Sequence, residues 1–102
     1  MSTDGAGPAG AGAARFDLDR PWRIDDRVAV RPEPFGALLY HFGTRRLSFL
    51  KNTTVLAVLR SLAEHPSARS ACAAAGVPEA ALPAYERALA TLAESSMITE
   101  RP

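Results

Sequence analysis

The sequence is short of most things that carry chemistry. It has one cysteine in 102 residues, so it can form neither an internal disulfide framework nor a multi-cysteine metal or cluster site. Its two histidines, His41 and His65, have no metal-ligand spacing to each other or to Cys72. No glycine-rich loop follows a strand and opens a helix, which excludes the usual phosphate cradle. No apolar run approaches the roughly 20 residues of a membrane span. Net charge is only +1, from 12 basic and 11 acidic residues, so bulk attraction to nucleic acid or lipid is not expected. Lys51 is the sole lysine.

What is present is an ordinary globular mix, 47% hydrophobic and 23% charged, in a length that suits one small domain. Met1 to Ala14 reads MSTDGAGPAGAGAA, with no large apolar side chain after the initiator. Such a stretch buries too little to offset its backbone entropy, so residues 1–14 are expected to be a disordered Gly/Ala-rich tail and 15–102 the folded domain. The tail lacks the basic start and apolar run of a signal peptide.

Phe16, Leu18, Trp22 and Ile24 are large apolar residues spaced by charges, read as an arm or short strand anchored on the domain; Pro21 bars a helix there. Three strands follow. Val28 to Arg31 is β-branched, and Arg31-Pro32-Glu33-Pro34 reads as a stiff connector. Phe35 to Phe42 places Leu38, Tyr40 and Phe42 on one face and Ala37, Leu39 and His41 on the other. Gly43-Thr44 is expected to turn the chain, with Gly43 at positive φ. Arg46 to Leu50 is the third strand.

The second half has helical spacing. Asn52 to Thr54 offers N-cap side chains, and Val55, Leu59 and Leu62 form a stripe widened by Leu56 and Val58. His65-Pro66 ends that helix, with His65 serving its free carbonyls. Ser67 caps an alanine-rich second helix that stops at Gly76. Pro78 opens a third, along which Leu82, Tyr85, Leu89 and Leu92 share one stripe. Met97-Ile98-Thr99 closes as an extended segment. The expected fold is α+β: a three-stranded antiparallel meander followed by a three-helix bundle, winged helix-turn-helix-like in topology.

Catalysis is not expected. His41 reads as a half-exposed sheet residue and Cys72 as a small core residue. Asp17, Asp19, Asp25 and Asp26 read as solvated charges among Arg20, Arg23 and Arg27, without the spacing of a calcium loop. No metal, cofactor or membrane partner follows. Two binding roles remain. A winged-helix DNA regulator fits the topology. However, the second helix of the helix-turn-helix carries Glu79, Glu86, Arg87 and Glu94, a net negative charge that phosphates would meet. Peptide capture fits better. A third strand at a sheet edge offers unpaired backbone groups at Arg46, Leu47, Ser48, Phe49 and Leu50, and the stripe of Leu82, Tyr85, Leu89 and Leu92 would wall a groove beside it.

The run Arg31 to Lys51, RPEPFGALLYHFGTRRLSFLK, closely resembles the peptide chaperones of mycofactocin biosynthesis, relatives of the chaperone of pyrroloquinoline quinone biosynthesis. Trp22-Arg23 and Val28-Ala29-Val30 upstream and the three-helix order downstream agree, so the resemblance spans about residues 16 to 100. It implies a cytoplasmic precursor-peptide recognition domain of winged-helix-like fold. Such a domain holds the leader of a ribosomally made peptide, here the mycofactocin precursor, as an added strand on Arg46–Leu50 beside the third helix. It then presents the peptide to a radical S-adenosylmethionine maturase. The chain lacks the three closely spaced cysteines of such a maturase, which makes it the adaptor.

Overall fold

A computed structural model describes residues 16–102; the expected tail, 1–14, lies outside them. The strands are β1 (Trp22–Ile24), β2 (Val28–Glu33), β3 (Gly36–His41), β4 (Leu47–Leu50) and β5 (Ile98–Glu100). The helices are α1 (Thr53–Ser61), α2 (Ala68–Ala74) and α3 (Leu82–Glu94), with single 3₁₀ turns at Leu62–Glu64 and Glu79–Ala81. This is the mixed α+β composition expected, with one addition. β1 and β5 pair antiparallel, Trp22 opposite Glu100 and Ile24 opposite Ile98, as a separate two-stranded ribbon joining the two ends of the domain.

That ribbon gives the N-terminal arm its work. Trp22 is fully buried, its indole Nε1 donates to the Asp17 carbonyl at 2.9 Å, and the Phe16 ring leans on it at 4.9 Å. The carbonyls of Leu18 and Arg20 accept from Arg69 and Ala68, satisfying two of the free N–H groups at the start of α2. Ser67 and Ser70 form a capping box at the same end, and Gly76, at φ +85°, terminates the segment as expected. Asn52 caps α1 through Thr54 and Val55. Arg101, rather than His65, serves the carbonyls after α1: its guanidinium donates to Ala63 and His65. Pro83 falls at the start of α3, where its missing N–H is harmless.

The three-stranded sheet runs β2-β3-β4, all antiparallel. Ala37, Leu39 and His41 are buried against the helices, and Leu59, Leu62, Leu89, Met97 and Ile98 complete the core with Trp22. Four expectations for this region need correcting. The segment Arg31–Glu33 is strand, not connector: Glu33 pairs with Gly36, leaving Pro34-Phe35 as the turn. Pro32 is tolerated because β2 is an edge and its backbone nitrogen faces away from β3. The residue at positive φ after β3 is Arg45, at 64°, not Gly43. Gly43 is needed for space instead, since a Cβ there would lie 2.9 Å from the His41 ring. Asp25 and His41, read as solvated and half-exposed, are both buried.

The last two corrections have one cause. Asp25 accepts from the Arg27 backbone at 2.8 Å and from its guanidinium at 3.1 Å, which together let the carboxylate leave water. His41 is fully buried and its Nδ1 accepts from the N–H groups of Gly43 and Thr44, both at 3.0 Å. The ring proton therefore sits on Nε2, 3.7 Å from Asp25 Oδ1. A period-two pattern assigns a residue to a face but says nothing about a loop folding back over it.

Gly36 fixes the other end of β3. Its φ is +156°, and a Cβ would collide with the Leu50 carbonyl and lie 2.9 Å from the Asn52 nitrogen. The backbone of β3 touches the chain there, where β4 hands over to α1.

Candidate functional site

Hydrogen-bond alternation decides which backbone groups the sheet leaves open. His41 N donates to the Arg46 carbonyl at 2.9 Å, which makes His41/Arg46 a bonded pair. With the register Leu39 to Ser48 and Ala37 to Leu50, those residues bond across the ladder as well. The backbone groups of Leu47 and Phe49 therefore point away from β3, and no strand among the described residues pairs with them.

Beside this open edge lies a groove of about 340 Å³ between β4, the start of α1 and α3. Phe49, Leu50, Val55, Ala88 and Leu92 give it apolar walls, and Ser48, Lys51 and Thr91 give it polar borders. Of the residues expected in the site, Ser48, Phe49, Leu50 and Leu92 line this groove. Arg46 and Leu47 are exposed at the head of the same strand. Leu82 and Tyr85 pack partly buried against the core nearer the start of α3. Leu89 is fully buried and belongs to the core. The groove face of α3 is thus the flank of the stripe, Ala88, Thr91 and Leu92, not its centre. Lys51, Val55, Ala88 and Thr91 were missed. Their signal was faint but physical: small residues, Ala88 and Thr91, beside a leucine stripe leave a concavity where larger ones would fill it.

The site offers backbone pairing and apolar contact, bordered by Ser48, Lys51 and Thr91. Burial pushes the Cys72 thiol up and leaves it inert in the core. The Arg27 guanidinium holds the Asp25 carboxyl below the usual carboxylate range, against the opposing effect of burial. That cluster sits under the β3–β4 loop, toward the other end of β3 from the groove. Among the described residues no group of three His, Cys, Asp or Glu could hold a metal ion, and no helix is long and apolar enough to cross a membrane.

An open strand edge with an apolar groove beside it is the geometry on which an extended peptide can add a strand. The model of the peptide chaperone MftB family matches residues 21–99, from β1 into β5. The chain belongs to that family. Peptide chaperone MftB of Mycobacterium ulcerans is 66% identical over 90 residues, 88% of this chain and 83% of the relative. The protein of the same name from Mycobacterium tuberculosis is 58% identical over 91 residues, covering 89% and 84%. That from Mycolicibacterium smegmatis is 61% identical over 83 residues, 81% of each chain. No solved structure matches. The family match covers the ribbon, the sheet and all three helices, so the open edge and the groove both lie inside it.

Proposed function

We propose that this chain is the leader-binding adaptor of mycofactocin biosynthesis. In this reading it is a cytoplasmic, winged-helix-like domain that takes the leader of the precursor peptide as a fourth strand on β4. It carries the peptide to a radical S-adenosylmethionine maturase and does no chemistry itself. The observation that supports it most is the conjunction of the open β4 edge, at Leu47 and Phe49, with the groove between β4 and α3. Backbone pairing at those two residues supplies affinity that is indifferent to sequence. Side chains of the added strand that fall into the groove, against Leu50, Val55 and Leu92, supply selectivity.

The adaptor acts through concentration and order. A leader held on β4 keeps the reactive tail of the precursor near the maturase, which raises its effective concentration without any new contact to the tail. The flexible leader loses entropy on binding, and strand pairing plus apolar burial must offset that loss. The single buried cysteine fits a chain that leaves the iron–sulfur chemistry to its partner.

The test is a calorimetric titration of the full chain with the synthetic precursor and with its leader fragment alone. Saturable one-to-one binding that survives in the leader fragment is expected. Failure of both peptides to bind the folded chain, with the maturase present, would overturn the reading.

A further inference from the structure

The three-stranded sheet has a second face. Antiparallel register sets Ala29 and Arg31 of β2, Leu38 and Tyr40 of β3, and Leu47 and Phe49 of β4 on the side away from the helices. Phe42 continues the alternation and stands edge to face on Tyr40, ring centroids 5.1 Å apart. Nothing among the described residues covers this face: Phe42 is 64% exposed, Phe49 58% and Leu47 52%. Scattered exposed apolar residues need no explanation, but a contiguous aromatic and aliphatic face marks an interaction surface.

The strands and turns that build it carry an excess of cations. Val28 to Asn52 contains four cationic residues, Arg31, Arg45, Arg46 and Lys51, against one acidic residue, Glu33. Glu33 is occupied by Arg31 at 2.7 Å. Among the described residues, Arg45, Arg46 and Lys51 make no ion pair. From Thr53 onward the balance reverses, with five acidic and four cationic residues. The near-neutral chain therefore hides a basic sheet and a slightly acidic helical half.

These features select an occupant. Residues 1–15 contain no Leu, Ile, Val or aromatic residue, and Met1 is the one large apolar side chain they could bring to the face. A second copy in a two-fold interface would bring two cationic borders together. A nucleic acid would satisfy the cations but would set Leu38 and Leu47 against sugars and phosphates.

We propose that the outer sheet face docks a globular protein whose surface is apolar at its centre and bordered by Asp and Glu, while the groove on the other side of β4 holds the peptide. The inference rests on the adaptor reading, in which that protein is the maturase. β4 is then shared: its backbone edge and inner side serve the peptide, Leu47 on its outer side serves the enzyme, and Phe49 lies where the groove and the outer face meet. The chain becomes a bridge that both partners touch at once.

Two substitutions test it in the full-length chain, Phe42→Ser and Arg31→Glu, both at exposed positions outside the groove, with circular dichroism to verify folding. Binding of the purified maturase, followed by sedimentation velocity, is expected to weaken at least tenfold in Phe42→Ser and several-fold in Arg31→Glu. Affinity for fluorescently labelled precursor should stay within twofold in both. Thr91→Arg, in the groove, should do the reverse. Maturase affinity unchanged in both face variants would overturn the proposal. So would a wild-type dimer that Phe42→Ser dissociates, or salt-sensitive retention of duplex DNA that Arg31→Glu abolishes. A wild-type chain that binds the precursor but not the maturase overturns the docking face alone; one that binds neither overturns the adaptor reading with it.

Discussion

Along β2 the backbone groups that face outward belong to Val28, Val30 and Pro32; along β4 they belong to Leu47 and Phe49. The assignment follows from the same alternation, since Phe42 N donates to the Arg27 carbonyl and makes that pair a bonded one. The two edges are treated in opposite ways. On β2, the Val28 N–H is taken by the Asp25 carbonyl at 3.0 Å, Pro32 has no N–H, and only Val30 offers a donor. On β4 both donors are open among the described residues, and a groove lies alongside. Proteins commonly blunt exposed edges, because an open one recruits any extended chain. Blunting one edge of a three-stranded sheet while leaving the other open directs that recruitment to one side. The comparison makes predictions that should separate the edges, the groove and the core behind them.

The largest effect is expected from Leu89→Glu. Leu89 is fully buried behind the groove wall, and a carboxylate there has no partner. A loss of about 4 kcal/mol or more is expected, a large share of a small domain's stability. Thermal denaturation should show a lowered Tm or no transition. A variant that melted like the wild type but bound leader weakly would place Leu89 in the groove and shift the binding face of α3.

Gly36→Ala comes next. The added methyl collides with the Leu50 carbonyl, and positive φ disfavours any side chain, so a loss of about 3 kcal/mol is expected. The strain falls where β4 ends and the groove begins. Hydrogen exchange should rise at Leu50 and Asn52 before it rises in the β1–β5 ribbon. Uniform loss of protection would mean that the β4 edge has no local stability of its own.

Leu47→Pro addresses the comparison directly. It removes an outward donor and leaves the ladder to β3 intact, so the fold should survive as β2 survives Pro32. Leader binding is expected to weaken by about 2–3 kcal/mol, roughly 30- to 150-fold, through one lost hydrogen bond and one unsatisfied peptide carbonyl. Pro32→Val, which restores a donor to the other edge, should change leader affinity by less than twofold. Equal responses to the two substitutions would remove the distinction between the edges.

Most of this was readable in the residues, and the gaps have physical reasons. The β4 edge, the caps at Asn52 and Ser67, the stop at Gly76 and the closing strand at Ile98 rest on local chemistry, which sequence displays. The pairing of β1 with β5 joins segments more than 70 residues apart, which no local pattern reveals. The groove lies between the expected elements, β4 and α3, but Ala88, Thr91 and Leu92 line it on α3 while Leu89 is buried in the core. Amphipathic spacing identifies the centre of a stripe, and the centre packs inward; a groove forms at the flank, where Ala88 and Thr91 are small. From sequence alone the outward proline of β2 reads as a connector, because proline marks both the ends of strands and their edges.

The smallest effect concerns the ends from which both edges start. Asp25 holds Arg27 at the head of β2, and His41, facing Asp25, holds the loop that leads into β4. The Arg27 guanidinium and N–H lower the Asp25 pKa in the folded chain, while the unfolded chain returns it to the ordinary value of 3.8. A carboxylate with a depressed folded pKa stabilises the fold above its unfolded value and loses that contribution as pH falls through the folded one. Stability should therefore decline below about pH 4, by an amount that Asp25→Asn reduces while also lowering stability at pH 7. Chemical denaturation at pH 7 and at pH 3 measures both. If the decline between the two pH values is as steep in Asp25→Asn as in the wild type, the acid response comes from exposed pairs such as Asp19 with Arg69, and the shared anchor of the two edges is not what acid releases.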